Sequence, residues 1–256
     1  MQVNIDHIGY GNHILVRDIT FTVSPGECLL LAGPNGSGKS TLLRELAGEI
    51  CVSPTVASRP LPPRCALQAQ AVGPSLLHGR GWPWVRDTHI SPVNCILVPT
   101  GIPKVKGFTV REFVRTGCYR ESDWAGRLRK ETEERLEESL ELIGLKQLAD
   151  RDISTLSDGE FQKACIAVGL TRQADLLLLD EPTAFLDVEN RLMVLRTLRD
   201  VAERTGTAVI FSSHDLHDAL EVAHRVLSIT PDGRLLESAK ENREAVLKEA
   251  FSIKIF

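Results

Sequence analysis

The eight residues GPNGSGKS, Gly33 to Ser40, constrain this chain more than any other stretch. They match G-x-x-x-x-G-K-[ST] and lie where that pattern has a mechanism, after the apolar strand ECLLLA and before the helix STLLRELAG. Three glycines let the backbone turn so that successive amides converge on phosphate oxygens. Lys39 supplies positive charge to the outer phosphates, and the Ser40 hydroxyl is a ligand for Mg²⁺. The predicted nucleotide cradle is therefore Gly33, Pro34, Asn35, Gly36, Ser37, Gly38, Lys39, Ser40 and Thr41. A strand, a phosphate loop and a helix in succession require an α/β architecture.

LLLLDE, residues 176 to 181, supplies a second half. A buried strand that ends in Asp180 sets a carboxylate at the carboxyl edge of a sheet, where open α/β sheets bind ligands. Asp180 can hold the metal there, through water. Glu181 follows and faces differently, so it is the candidate general base that polarises an attacking water. TAVIFSS repeats the pattern of an apolar strand buried on both faces, which predicts parallel pairing. The beginning differs: VNIDHI, DITFTV and the turn Ser24-Pro25-Gly26 read as short antiparallel strands.

Elsewhere, residues 127 to 143 form a charged helix with Leu136, Leu140 and Ile143 on one face and Gly144 placed to stop it. VLSITPDGRLLES reads as a hairpin followed by a short helix. Residues 51 to 95 are loop-rich, with seven prolines and with Trp82 and Trp84 close together. In TLSDGEFQKACIA the start Ser157-Asp158-Gly159-Glu160 has the pattern of a capping box, and its amides with the helix dipole also make an anion site.

Composition narrows the class. With 256 residues, 43% apolar and 25% charged, the chain is an ordinary globular protein, and no apolar stretch approaches the ~18 residues a membrane helix needs. The opening MQVNIDHIGY lacks the order of a secretory signal, which places the chain in the cytoplasm. A net charge of −4 and a pI near 6.0 offer no broad footprint for nucleic acid. Six cysteines without a C-x-x-C pair argue against zinc and disulfides and for buried thiols.

GPNGSGKST, LSDGE, LLLLDEPTAFLD and the late His214 together resemble the ATP-binding cassette (ABC) family of transport ATPases over nearly the whole chain. The combination carries the specificity, because phosphate loops alone occur in many kinases and GTPases. The resemblance implies a P-loop NTPase fold with an N-terminal antiparallel β subdomain, a RecA-like parallel-sheet core and a helical lobe at about residues 108–170. One domain would cover 1–240, with the insertion at 51–95 and a helical tail at 241–256. It further implies an ATPase, with Mg²⁺ as cofactor, whose two copies pair head to tail. Ser157, Asp158, Gly159, Glu160 and Asp187 of each copy would then meet the ATP of the other. Asp158 stands where a glycine is commonest, so its charge should turn away from phosphate.

By the same resemblance Tyr10 is the aromatic on which adenine stacks, His214 the switch histidine that contacts the γ-phosphate and orients Glu181, and Asp187 the residue that signals between sites. From the residues alone, the alternative for Tyr10 is a core tyrosine at a strand end, with stacking the favoured reading, and Asp187 is equally a cap for the helix from Val188. His217 and His224 read as a solvated helix face. LVPTGIPKVKGFTVREFV aligns with the family's glutamine loop and puts Thr100 where the metal-binding glutamine belongs. The expectation is a water bridging Thr100 to Mg²⁺, or replacement by Gln68 or Gln70. Lys104, Lys106 and residues 110–116 either border a permease groove or form a solvated basic surface.

The function implied is an ATPase subunit on the inner face of the membrane that drives a separate integral-membrane permease, served by a separate solute-binding protein, with no nucleic-acid partner. The group most resembled imports iron-siderophore, haem or cobalamin. The rival readings are a soluble ABC protein of repair, translation or iron-sulfur assembly, and a phosphate-loop kinase, in which LSDGE would have no role.

Overall fold

The computed structural model describes residues 1–10, 13–48, 94–124, 126–239 and 242–251. The expected insertion at 51–95, with Gln68, Gln70, Trp82 and Trp84, lies outside these residues except for its last two positions. Within them, the apolar runs become strands with no exposed position: β3 (Cys28–Ala32), β4 (Cys95–Val98), β5 (Leu176–Leu179) and β6 (Ala208–Ser212). Together with β7 (Arg225–Ile229) and β8 (Leu235–Glu237) they form one sheet in the order β4-β5-β6-β3-β7-β8. All pairings are parallel except β7 with β8, the hairpin expected from VLSITPDGRLLES.

Alternation along each strand divides the core in two. Leu30, Leu177, Leu179, Val209, Phe211 and Val226 face one side, while Leu29, Leu31, Leu176, Leu178, Ile210 and Leu227 face the other. The second side is covered by α1 (Lys39–Leu46) and by the antiparallel pair β1 (Gln2–Tyr10) and β2 (His13–Thr22), strands longer than the sequence pattern suggested. Val3, Ile5, Ile8, Val16, Ile19 and Phe21 of this pair point into that core. The two sheets are also tied directly, by Arg17 N–H donating to Gly233 C=O at 2.9 Å in the β7–β8 turn.

The first side is covered by helices. α4 (Asp158–Thr171) is apolar around most of its circumference because it touches α2 (Val110–Arg115), α3 (Lys130–Leu142), α5 (Val188–Thr205) and β4. α3 buries Leu136 and Leu140, with Ile143 buried just beyond its end, and stops before Gly144 as expected. Among the described residues two further α-helices are α6 (Leu216–Val222) and α7 (Arg243–Ala250), the latter packed on β7. Cys28, Cys118 and Cys165 are buried thiols, and burial pushes Cys28 up to about 12, which leaves it an unreactive core residue.

This layering brings the carboxyl ends of β3, β4, β5 and β6 to one edge, and the loops that leave them carry the chemistry. The sheet depends on its filled interior. Phe211, fully buried on β6, is expected to cost ~3–5 kcal/mol when replaced by alanine, as read from the shift of a denaturant unfolding midpoint.

Candidate active site

The phosphate loop is built by close approach. Gly33, with φ +150°, runs so near β7 that a Cβ there would lie 2.8 Å from the Ile229 carbonyl oxygen and from Ser37 Oγ. Gly38 has φ +103° at the start of α1, a backbone that L side chains rarely adopt. Lys39 is buried, and its Nζ donates to the carbonyls of Gly33 and Pro34 at 2.9 and 3.1 Å. Burial draws the Lys39 ammonium below the usual lysine range, and the nearby carboxylates of Glu181 and Asp180 oppose that shift. Ser37 Oγ is buried in the loop without a hydrogen-bond partner. A buried cation resting on its own loop carbonyls beside an unpartnered hydroxyl suits a bound polyanion.

The ends of β4, β5 and β6 and the start of α1 meet at Asp180. Its Oδ1 accepts from Ser40 Oγ at 2.9 Å and from Ser212 Oγ at 3.0 Å, and the residue is 7% exposed. These hard oxygens fit Mg²⁺, which keeps several waters and takes only one or two protein ligands besides substrate phosphates. Among the described residues no three His, Cys, Asp or Glu side chains converge as a metal cluster of their own. Glu181 Oε1 lies 2.6 Å from His214 Nε2, so the candidate base and the candidate switch histidine are paired directly. Both sit in an open cleft lined also by Thr183, Phe185, Ser213 and Asp215. Thr100 reaches Asp180 too, but its Oγ1 donates to the main-chain carbonyl at 2.6 Å, not to the carboxylate.

The LSDGE segment forms the expected capping box. Glu160 N–H donates to Ser157 Oγ at 3.2 Å, and Ser157 N–H donates to Glu160 Oε2 at 2.8 Å. The bonds from the Ser157 amide and hydroxyl hold the Glu160 carboxyl below the usual carboxylate range. Its contribution to stability is therefore complete above the ordinary glutamate value and disappears as pH falls through the lowered folded value. Asp158 is held by Lys104, whose Nζ lies 2.7 Å from Asp158 Oδ1, donates to Leu156 C=O at 2.7 Å and sits 5.8 Å from the Phe161 ring centroid. The carboxylate that stands in place of glycine is thereby neutralised within its own chain.

The same helix start rests on α5. A Cβ at Gly159 would meet Asn190 Oδ1 at 2.7 Å, so only glycine allows this approach. Asn190 in turn bonds Asp187, the N-cap of α5, through its backbone N–H at 2.8 Å and its side-chain amide at 2.9 Å. Asp187 thus has the capping role weighed from sequence. Arg191, one residue further, pairs with Asp215 beside His214 and links α5 to the loop that carries His214. Tyr10 is 53% exposed, and its hydroxyl lies 2.9 Å from Thr41 Oγ1. This places an open aromatic face next to the phosphate loop, unlike a core tyrosine.

One reading needs correction. His217 is a solvated helix residue, but His224 lies beyond α6, and its Nδ1 accepts the Cys28 N–H at 3.0 Å, pinning the start of β3. Sequence reasoning also missed Ser212, Asn190 and the partner of Lys104. Ser212 had a signal: a serine at the inner end of a buried strand must find a hydrogen-bond partner.

The fold and these residues define a phosphate-loop nucleotide hydrolase. A sequence model of the ABC transporter family matches residues 16–184. The chain is 33% identical over 222 residues to the Probable siderophore transport system ATP-binding protein YusV of Bacillus subtilis, covering 87% of this chain and 74% of that protein. It is 29% identical to the Iron(3+)-hydroxamate import ATP-binding protein FhuC of the same organism, over 96% of this chain and 85% of that protein. It also superposes on the ADP conformation of an ATP-binding cassette of an ABC transporter, with a TM-score of 0.71 and 19% identity over 97% of this chain and 96% of the other. The chain belongs to the ABC transporter family and is an ABC-type ATPase. Among the described residues no helix is long and apolar enough to cross a membrane.

The Lys104–Asp158 pair is half in solvent, with Asp158 68% exposed, so its coupling should be small. A double-mutant cycle of Lys104→Ala and Asp158→Ala is expected to give ~0.2–1 kcal/mol, falling as salt is raised in a chemical denaturation series.

Proposed function

We propose that this chain is the ATP-hydrolysing subunit of an importer, which dimerises around two Mg-ATP and powers a separate integral-membrane permease. The observation that carries this reading is the 2.6 Å pairing of Glu181 with His214 beside the Ser40–Asp180 pair. A carboxylate next to the terminal phosphate can take the proton of an attacking water, and His214 holds it in place. Lys39 and the loop amides meet the phosphate charge from one side. Ser40 and Asp180 would hold Mg²⁺, which would supply charge neutralisation to the phosphates when bound.

The other half of each site would come from a second copy. At the start of α4 the Gly159 amide lies at the positive end of the helix dipole beside the Ser157 hydroxyl, and Lys104 offsets the charge of Asp158, so this end favours an anion. Asp187, Asp158 and Glu160 belong to the same contact surface. The Tyr10 ring beside Thr41 offers a π face to adenine.

The names of the relatives support iron-chelate import: siderophore transport, iron(3+)-hydroxamate import and ferric enterobactin transport are each named for a matched ATP-binding protein. The permease would position the subunit on the inner face of the membrane, with a separate solute-binding protein delivering the cargo. No nucleic-acid partner is part of this reading.

Three variants test it. Lys39→Ala should abolish ATP binding in a calorimetric titration. Glu181→Gln should lower turnover ~10²–10⁴-fold and accumulate an ATP-dependent dimer by size exclusion. Ser157→Arg should bind ATP as before yet fail to dimerise. Wild-type hydrolysis by Glu181→Gln would remove its role as base. Copurification of a membrane protein from the source cell is expected, and its absence would favour a soluble ABC ATPase.

A further inference from the structure

One peptide group joins the metal-side carboxylate to the candidate base, and it is gripped at both ends. Its carbonyl, on Asp180, accepts from Thr100 Oγ1 at 2.6 Å, and its amide, on Glu181, donates to Ser212 Oγ at 2.8 Å. The two partners come from the ends of β4 and β6, the strands on either side of β5. Ser212 is fully buried, and its own proton goes to Asp180 Oδ1 at 3.0 Å, so the hydroxyl is committed in both directions. Glu181 itself has φ +50°, a left-handed backbone that a residue with a side chain keeps only where its surroundings hold it.

We propose that Thr100 and Ser212 are positioning residues that clamp the Asp180–Glu181 peptide and so hold Glu181 in the left-handed conformation that sets its carboxylate against His214. Turning the peptide would break both hydrogen bonds together and swing the Glu181 side chain off its 2.6 Å contact. On this account the short arm of Thr100 is suited to a main-chain carbonyl, and Thr100 acts on the base and not on the metal. The inference rests on Glu181 being the base.

The test uses the full chain. Thr100→Val keeps the shape and removes the hydroxyl, and should lower kcat about tenfold while KM for Mg-ATP and the Mg²⁺ concentration for half-maximal rate stay within about twofold. In nucleotide-free protein, amide hydrogen exchange of Leu179, Asp180 and Glu181 should become faster in Thr100→Val and in Ser212→Ala. Thr100→Ser should restore both rate and protection, and Thr100→Ala replaces the valine variant if that one does not fold. Unchanged kcat, unchanged exchange, no rescue by serine, or a raised Mg²⁺ requirement that excess Mg²⁺ overcomes would each overturn the clamp. Failure of the underlying reading is separate: it appears as an active Glu181→Gln, whereas failure of the clamp leaves Glu181→Gln inactive and Thr100→Val active.

Discussion

A carboxylate at the end of a fully buried strand is the constraint around which this molecule is arranged. Asp180 is accommodated there because Ser40 and Ser212 both donate to the same oxygen. Those donors come from different parts of the chain, one from the start of α1 and one from the end of β6. They meet only because β3, β6 and β5 are neighbours in a parallel sheet, so that all their carboxyl ends open on one edge. The sheet is stable in this form because the β1–β2 pair and α1 cover one face and α4 and α5 the other.

From that edge the arrangement extends outward through short links. Glu181 meets His214, and Arg191 ties the loop that carries His214 to α5. The cap of α5 holds Asn190, which receives Gly159 at the start of α4. Lys104, on the loop after β4, grips Asp158 at that same start. A chain of contacts therefore connects the Glu181–His214 pair to the start of α4, and Lys104 and Thr100, which hold Asp158 and the Asp180 carbonyl, lie on one loop.

Much of this was legible. The phosphate loop, the acidic end of β5 and the capping box are local patterns in which neighbouring residues do the work, and each formed as read. The helix at 130–142 and the β7–β8 hairpin followed from periodicity and turn residues for the same reason. The partners of side chains separated by scores of residues were not legible. His224 read as a solvated helix residue because nothing nearby in sequence reveals the open N–H of Cys28, 196 positions away. Asp158 read as a charge that should turn away from phosphate, but its partner was hidden, since Lys104 lies 52 residues before Leu156, on another loop.

The sequence by itself determined the chemistry: a loop whose glycines and lysine suit phosphate, oxygens that suit Mg²⁺, and a glutamate beside Asp180. These properties reside in residue types and short spacings, which survive in any description of the chain. Only the tertiary structure decided how the pieces hold one another. Thr100 stood at a ligand position by alignment, yet its hydroxyl bonds a carbonyl, because the register of β4 against β5 brings that oxygen within 2.6 Å. Hydrogen bonds of this length depend on strand order and register, and those are set by packing both faces of the sheet at once.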